Sequence, residues 1–140
     1  TSLGSNAHAH GDNQVQLGSA DSTVYAHKEI QQRSDRRDKN SIRETRLGLD
    51  FVNNLKPVDY KYNNSNSDRY HHGFIAQDLE ALNNEGYAFG GIDNPKYTGG
   101  EDVYSVGYTE IIAPLVKSVQ ELSEENKDLR SRIEKLEGAK

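Results

Sequence analysis

The sequence predicts an α+β protein: a small domain of short helices and strands, a brief β segment before it, and a long C-terminal helix that associates with copies of itself. Three observations carry this reading. Apolar residues recur at heptad spacing through residues 108–140. Leu47, Phe51, Val52 and Leu55 fall at helical intervals, after which Val58, Tyr60 and Tyr62 alternate with polar residues. Residues 1–33 are rich in Gly, Ser, Asn and His and alternate only briefly.

Composition sets the bounds. The 140 residues hold one modest domain with an extension rather than two full domains. Hydrophobic residues make up 33%, with no Trp and no Met, so the core is thin for a monomer. Eight tyrosines are expected to supply much of the buried area, and burial between subunits the remainder. The net charge of −5, with basic residues spread along the chain, speaks against a nucleic-acid partner. With no cysteine, neither a disulfide framework nor a cysteine metal site can form. No apolar run approaches the roughly 20 residues that span a bilayer, so no membrane partner is expected. No signal peptide is visible and the chain starts without methionine, so it reads as a fragment of something longer.

Three zones follow: 1–33, 34–107 and 108–140. In the first, Leu3-Gly4-Ser5 recurs as Leu17-Gly18-Ser19, each followed within two residues by an alanine. The stretch "STVYAHKEI" sets Val24, Ala26 and Lys28 against Tyr25, His27 and Glu29, which predicts a short strand. Alone, the zone has little to bury. It reads as a disordered linker or as the end of an intertwined β fibre whose core forms only between chains. The fold class adopts the β fibre end.

In the second zone, the helix over 47–55 stops at Pro57. "PVDYKY" is a half-buried strand, "SNSD" a turn and "YHHGFIA" a second strand. "QDLEALNNEG" is a short helix ending at Gly86, a suitable residue to follow a helix C-terminus. Residues 87–103 read as a loop or ragged hairpin. Gly73 suits a close backbone approach and Gln77 a hydrogen bond at the helix start.

The third zone carries the strongest signal. Ile112, Val119, Asn126 and Ile133 occupy one heptad position, and Tyr108, Leu115, Leu122, Leu129 and Leu136 the other. Thr109 is placed to cap the helix, and Pro114 is placed to bend it. In parallel strands Glu125 faces Arg130 and Arg132 faces Glu137, both attractive pairings. Branched residues at one position, Leu at the other and a buried Asn126 lean towards two strands. Against them stands "RIEKLE", residues 132–137, similar to the pattern of short trimeric coiled coils, in which the Arg132 stem covers the core and its guanidinium meets Glu137. The sequence reading takes the parallel trimer, with Ile112, Leu115, Val119, Leu122, Asn126, Leu129, Ile133 and Leu136 at the interface.

One stretch raises a question of chemistry. In "IQQRSDRRDKNSI", Ser34 and Lys39 stand five residues apart in a run of charges. Such a run is ordinarily a solvated loop. The alternative is a Ser–Lys dyad in which lysine is the base for a serine nucleophile. Five residues place side chains about 140° apart on a helix and on opposite faces of a strand. Only a turn brings Oγ and Nζ together, and "DRRDKN" is built of turn-tolerant residues. A lysine base must also be neutral, from an ordinary pKa of about 10.4, so it needs desolvation and neighbouring cations. Arg33, Arg36 and Arg37 act in that direction, Asp35 and Asp38 against it.

Four blocks in order, "SDRRDKNSI", "LGLDFVNNLKPVDYKY", "HHGFIAQDLEAL" and "YTEIIAPLVKSVQEL", together resemble the C-terminal intramolecular chaperone domain of phage tail spikes, tail fibres, neck appendages and endosialidases, a self-cleaving serine peptidase family. The resemblance covers about residues 34–136. The combination is specific where no single block is. Tyr62, where a larger aromatic is common, and Asp78, where glutamate often follows the glutamine, depart from the pattern. Neither touches the dyad.

The resemblance implies a homotrimer that aligns three chains, helps the preceding β fibre fold, and then cuts itself free between Arg33 and Ser34. Ser34 is the implied nucleophile and Lys39 the base. Asp35, His71 and His72 are carried over as residues that line the site, although one histidine packing under the Gly73-Phe74 strand and the other solvated is an equal reading. No cofactor is implied. A metal at His71 and His72, or at His8 and His10, lacks a third ligand at useful spacing. The implied setting is a phage virion precursor assembled in the host cytoplasm, with the chaperone part released on maturation. The competing reading is a trimeric fibre tip that caps or binds a receptor and never cuts, which loops such as "GYAFGGIDNPKYTGG" would suit.

Overall fold

The structure, a computed structural model, describes residues 1–9, 11–19, 22–63, 67–94 and 104–139. It is α+β, with small strands and a long C-terminal helix. The chain divides into two compact units. The first comprises residues 1–44, 59–73 and 93–104, and the second residues 45–58, 74–92 and 105–140.

In the first unit, β1 (Ser2–Leu3) pairs in parallel with β2 (Gln16–Leu17), and Leu3 lies opposite Leu17. The two Leu-Gly-Ser copies are therefore stacked in register. The glycine after each leucine turns the chain through left-handed backbone, at φ +115° for Gly4 and +74° for Gly18, which a side chain would strain. Ladder bonds of 2.8 Å run from the Gln16 N–H to the Thr1 carbonyl and from the Gly18 N–H to the Leu3 carbonyl. The pairing lies within one chain, and it leaves Leu3 and Leu17 exposed. The strand expected in residues 22–30 is absent. Those residues are irregular and exposed, Tyr25 at 90%. Alternation alone cannot hold a strand that has neither a ladder partner nor an apolar surface.

β3 (Val58–Tyr60) pairs with β4 (His71–Gly73), as the alternation predicts. Period two places Tyr60 and Tyr62 on one face, where their rings meet edge-on at 5.3 Å. The first half of the turn predicted at 65–68 lies outside the described residues.

The second unit holds the apolar core: Phe51, Leu79, Leu82, Phe89 and Ile111. Helix α1 (Leu49–Asn54) contributes Phe51 and ends before Pro57. Helix α2 (Ala76–Asn84) contributes Leu79 and Leu82. It closes on Gly86, at φ +100°, with the Gly86 N–H bonded to the Asn83 carbonyl and the Tyr87 N–H to the Leu82 carbonyl. These paired bonds satisfy two end carbonyls, and they explain why glycine stands there. No side chain caps the start of α2, and Gln77 is exposed in its first turn, so the hydrogen bond expected of it is not formed.

Among the described residues the tyrosines do not form the core either. Phenylalanine and leucine fill it, while Tyr87 sits at the rim against Phe51, ring centroids 5.4 Å apart. Its hydroxyl donates to Asp50, a bond that holds the Tyr87 pKa above the usual tyrosine value. A phenol needs a partner for its O–H, which keeps it at the edge of an apolar cluster. Short strands β5 (Ile92–Asp93) and β6 (Ser105–Val106) pair; β6 lies beyond the segment 87–103 read as a loop or ragged hairpin, of which residues 95–103 lie outside the described residues.

Helix α3 (Ile112–Gly138) is entered through a 3₁₀ turn, Tyr108–Ile111. Thr109 falls inside that turn, and the cap position is Ile111, with no side-chain cap. Pro114 does not break the helix. It is the third residue, where the missing N–H had no intrahelical acceptor, and its carbonyl accepts from Ser118 Oγ at 2.8 Å.

One face of α3 docks on the core through buried Ile111, Pro114 and Ser118. Glu121 continues that face and caps α1, its carboxylate accepting the Leu49 N–H at 2.7 Å. A side chain at Gly48 would collide with that carboxylate. The heptad residues form a different face, and it is uncovered. Exposure is 58% for Ile112, 66% for Val119, 48% for Leu122, 46% for Leu129 and 71% for Leu136. Among the described residues no helix is long and apolar enough to cross a membrane.

Candidate functional site

The charge run around Ser34 folds into one 3₁₀ turn, Arg36–Asp38, between extended residues Asp35 and Lys39. Backbone bonds from the Asp38 N–H to the Asp35 carbonyl (3.1 Å) and from the Lys39 N–H to the Arg36 carbonyl (3.2 Å) close it. This is the turn that the five-residue spacing requires. It returns Lys39 to Ser34, and Nζ lies 2.5 Å from Oγ, with the ammonium donating. Both residues are exposed. The chain leaves through Ser41, at φ +51° in the left-handed region that a serine rarely adopts.

Two charge pairs hold the turn. Asp35 Oδ1 accepts the Arg37 N–H at 2.8 Å, as a helix-capping carboxylate does, and both its oxygens engage the Arg37 guanidinium, at 2.7 Å for Nη2. These bonds, side chain first and backbone second, hold the Asp35 carboxyl below its usual range and raise the Arg37 guanidinium further. A depressed carboxyl stabilises the turn at pH values above its unfolded pKa, and that contribution is lost as pH falls through the lower folded value. In the Ser34→Ala protein, which keeps the turn intact, the Arg37 amide resonance should hold its bonded position through the ordinary carboxylate range and shift only below it. A shift centred on the usual Asp pKa of 3.8 would show that the cap contributes nothing.

The second pair is Arg33 with Asp38, Nε to Oδ2 at 2.6 Å and Nη2 to Oδ1 at 3.2 Å. Sequence reading counted these acids and bases only as opposing influences on Lys39. It missed that Asp35 pairs with Arg37 and Asp38 with Arg33, because pairings across a turn leave no periodic signal.

The two histidines have partners of their own. His72 Nδ1 lies 2.5 Å from Asp59 Oδ1, across the β3–β4 pair. His71 stacks on Tyr60 at 5.8 Å and meets Tyr62 edge-on at 4.9 Å. Neither shares a hydrogen bond or ion pair with Ser34 or Lys39 among the described residues. Asp59 was not anticipated; only its place opposite β4 could have suggested it. Among the described residues no cluster of three metal-ligating side chains forms, and His10 lies outside them.

On α3, Arg132 pairs within its own helix, Nη1 lying 3.9 Å from Asp128 Oδ2. The uncovered heptad face and the Ser34–Lys39 turn both lie outside the packed core.

No curated protein matches the chain. Residues 34–87 match the model of a peptidase family, Peptidase S74, described as the chaperone of endosialidase, and the match begins at Ser34 itself. Over that segment, well under half of its length, the chain is similar to the chaperone of endosialidase.

Proposed function

We propose that the chain is a trimeric intramolecular chaperone that promotes folding of a preceding phage fibre and then releases itself by cutting between Arg33 and Ser34. The Lys39–Ser34 contact of 2.5 Å carries this reading, in a segment whose family match begins at the proposed cut. Ser34 Oγ attacks the carbonyl carbon of Arg33, to which Ser34 is covalently joined, so proximity costs almost nothing. Lys39, once deprotonated, accepts the hydroxyl proton and returns it to the Ser34 nitrogen as the peptide C–N bond breaks. The Arg33–Ser34 ester that forms is hydrolysed by water, giving a chain ending at Arg33 and a fragment starting at Ser34.

The chaperone role rests on the family, and trimerisation on α3. Its heptad residues are free because the core uses the Ile111, Pro114, Ser118 and Glu121 face instead. Three parallel helices would hold three chains in register while the segment before Ser34 folds. The stacked β1 and β2 are the part of this chain that such a fibre would continue. The setting is a virion precursor in the host cytoplasm, from which the fragment beginning at Ser34 departs.

A permanent, uncut fibre tip is the second reading, favoured by the exposure of both dyad residues, since a hydrated lysine is no base. The intact mass of folded protein distinguishes the two. Fragments 1–33 and 34–140 are the expected result; a single full-length species in the assembled state would overturn the cleavage reading.

A further inference from the structure

We infer that Asp38 is a positioning residue for the cut, acting through the side chain of Arg33 and selecting for a cation there. The inference rests on the cleavage reading above. Two contacts run side by side across the turn, each spanning five residues: Arg33 with Asp38, and Ser34 with Lys39. The first holds the residue whose carbonyl is attacked, the second the attacking hydroxyl and its base.

Because nucleophile and carbonyl belong to adjacent residues, their separation is set by covalent geometry, and only rotation about the Arg33–Ser34 junction remains to be fixed. A single-point contact would leave that rotation free. The guanidinium is held at two points, Nε on Oδ2 and Nη2 on Oδ1, and this fork geometry fixes direction as well as distance. Asp38 is itself set by the turn, its N–H bonded to the Asp35 carbonyl. The other nearby carboxylate, Asp35, is engaged by Arg37 and does not compete for Arg33. In the open chain the pair is exposed, where ion pairs are weak; under a cover that excludes water it strengthens together with the dyad. A neutral side chain at position 33 leaves Asp38 without its partner and the junction free to rotate.

The test is the cleavage rate of the full chain as parent, Asp38→Asn, Arg33→Gln and both together, with assembly checked by sedimentation. Each single change is expected to slow cutting about tenfold, and the double change no further, because both remove one interaction. Exchanging the charges, Arg33→Glu with Asp38→Arg, is expected to recover part of the loss, which a purely structural role for Asp38 in the turn would not allow. Parent-like cutting by Asp38→Asn, or losses that multiply in the double variant, would refute the inference while leaving the Ser34–Lys39 reading intact. A parent chain that never cuts would remove both.

Discussion

Ser34→Ala and Lys39→Ala should each leave the chain uncut, slowing cleavage by about a thousandfold or more, while sedimentation still reports the parent's assembly. Removing the hydroxyl removes the nucleophile; removing the amine leaves the hydroxyl proton without an acceptor at 2.5 Å. Neither residue is buried or packed on the apolar core, so folding has no stake in them. Lys39→Arg sharpens the test. A guanidinium can still donate to Ser34 Oγ but does not shed its proton near neutral pH, so it preserves the contact and abolishes the base. Cutting by Lys39→Arg would rule lysine out as the base even if Lys39→Ala were inactive.

How far these residues could be read in advance depended on how local the determining physics is. The ends of α1 and α2 were legible because Pro57 and Gly86 act within a residue or two of themselves. The heptads were legible because periodicity survives without knowledge of the partner. The contact between Ser34 and Lys39 was not legible, because it lies beside Asp35 capping Arg37 and Arg33 reaching Asp38 within a stretch that reads as undirected charge. Residues 22–30 misled because alternation signals two faces and says nothing of a ladder partner. Thr109 misled because the helix starts where Ile111 enters the core, a tertiary choice. The Glu121 cap on α1 joins residues 72 apart and had no sequence signal at all.

Leu129→Asp should convert the assembled chain to monomer and slow cleavage by about a hundredfold, and the two effects should appear together. In the proposed trimer an aspartate at this position would place three carboxylates in a closed core, each with a desolvation cost that no partner offsets. The position matters. Deleting residues 108–140 would strip Ile111, Pro114 and Ser118 from the packed face and remove the Glu121 cap, confounding assembly with folding. Leu129 lies two turns beyond Glu121, exposed at 46%, and has no role in the core. Cleavage should follow assembly because Ser34 and Lys39 are in place but open to water, and an ammonium becomes a base only when its hydrated charged form is penalised. That penalty has to come from a surface lowered onto the turn, by neighbouring chains or by the folded fibre end. The cut would then report that the fibre has formed. Leu129→Asp cutting at the parent rate as a monomer would show the site to be complete within one chain, and the coupling would fail.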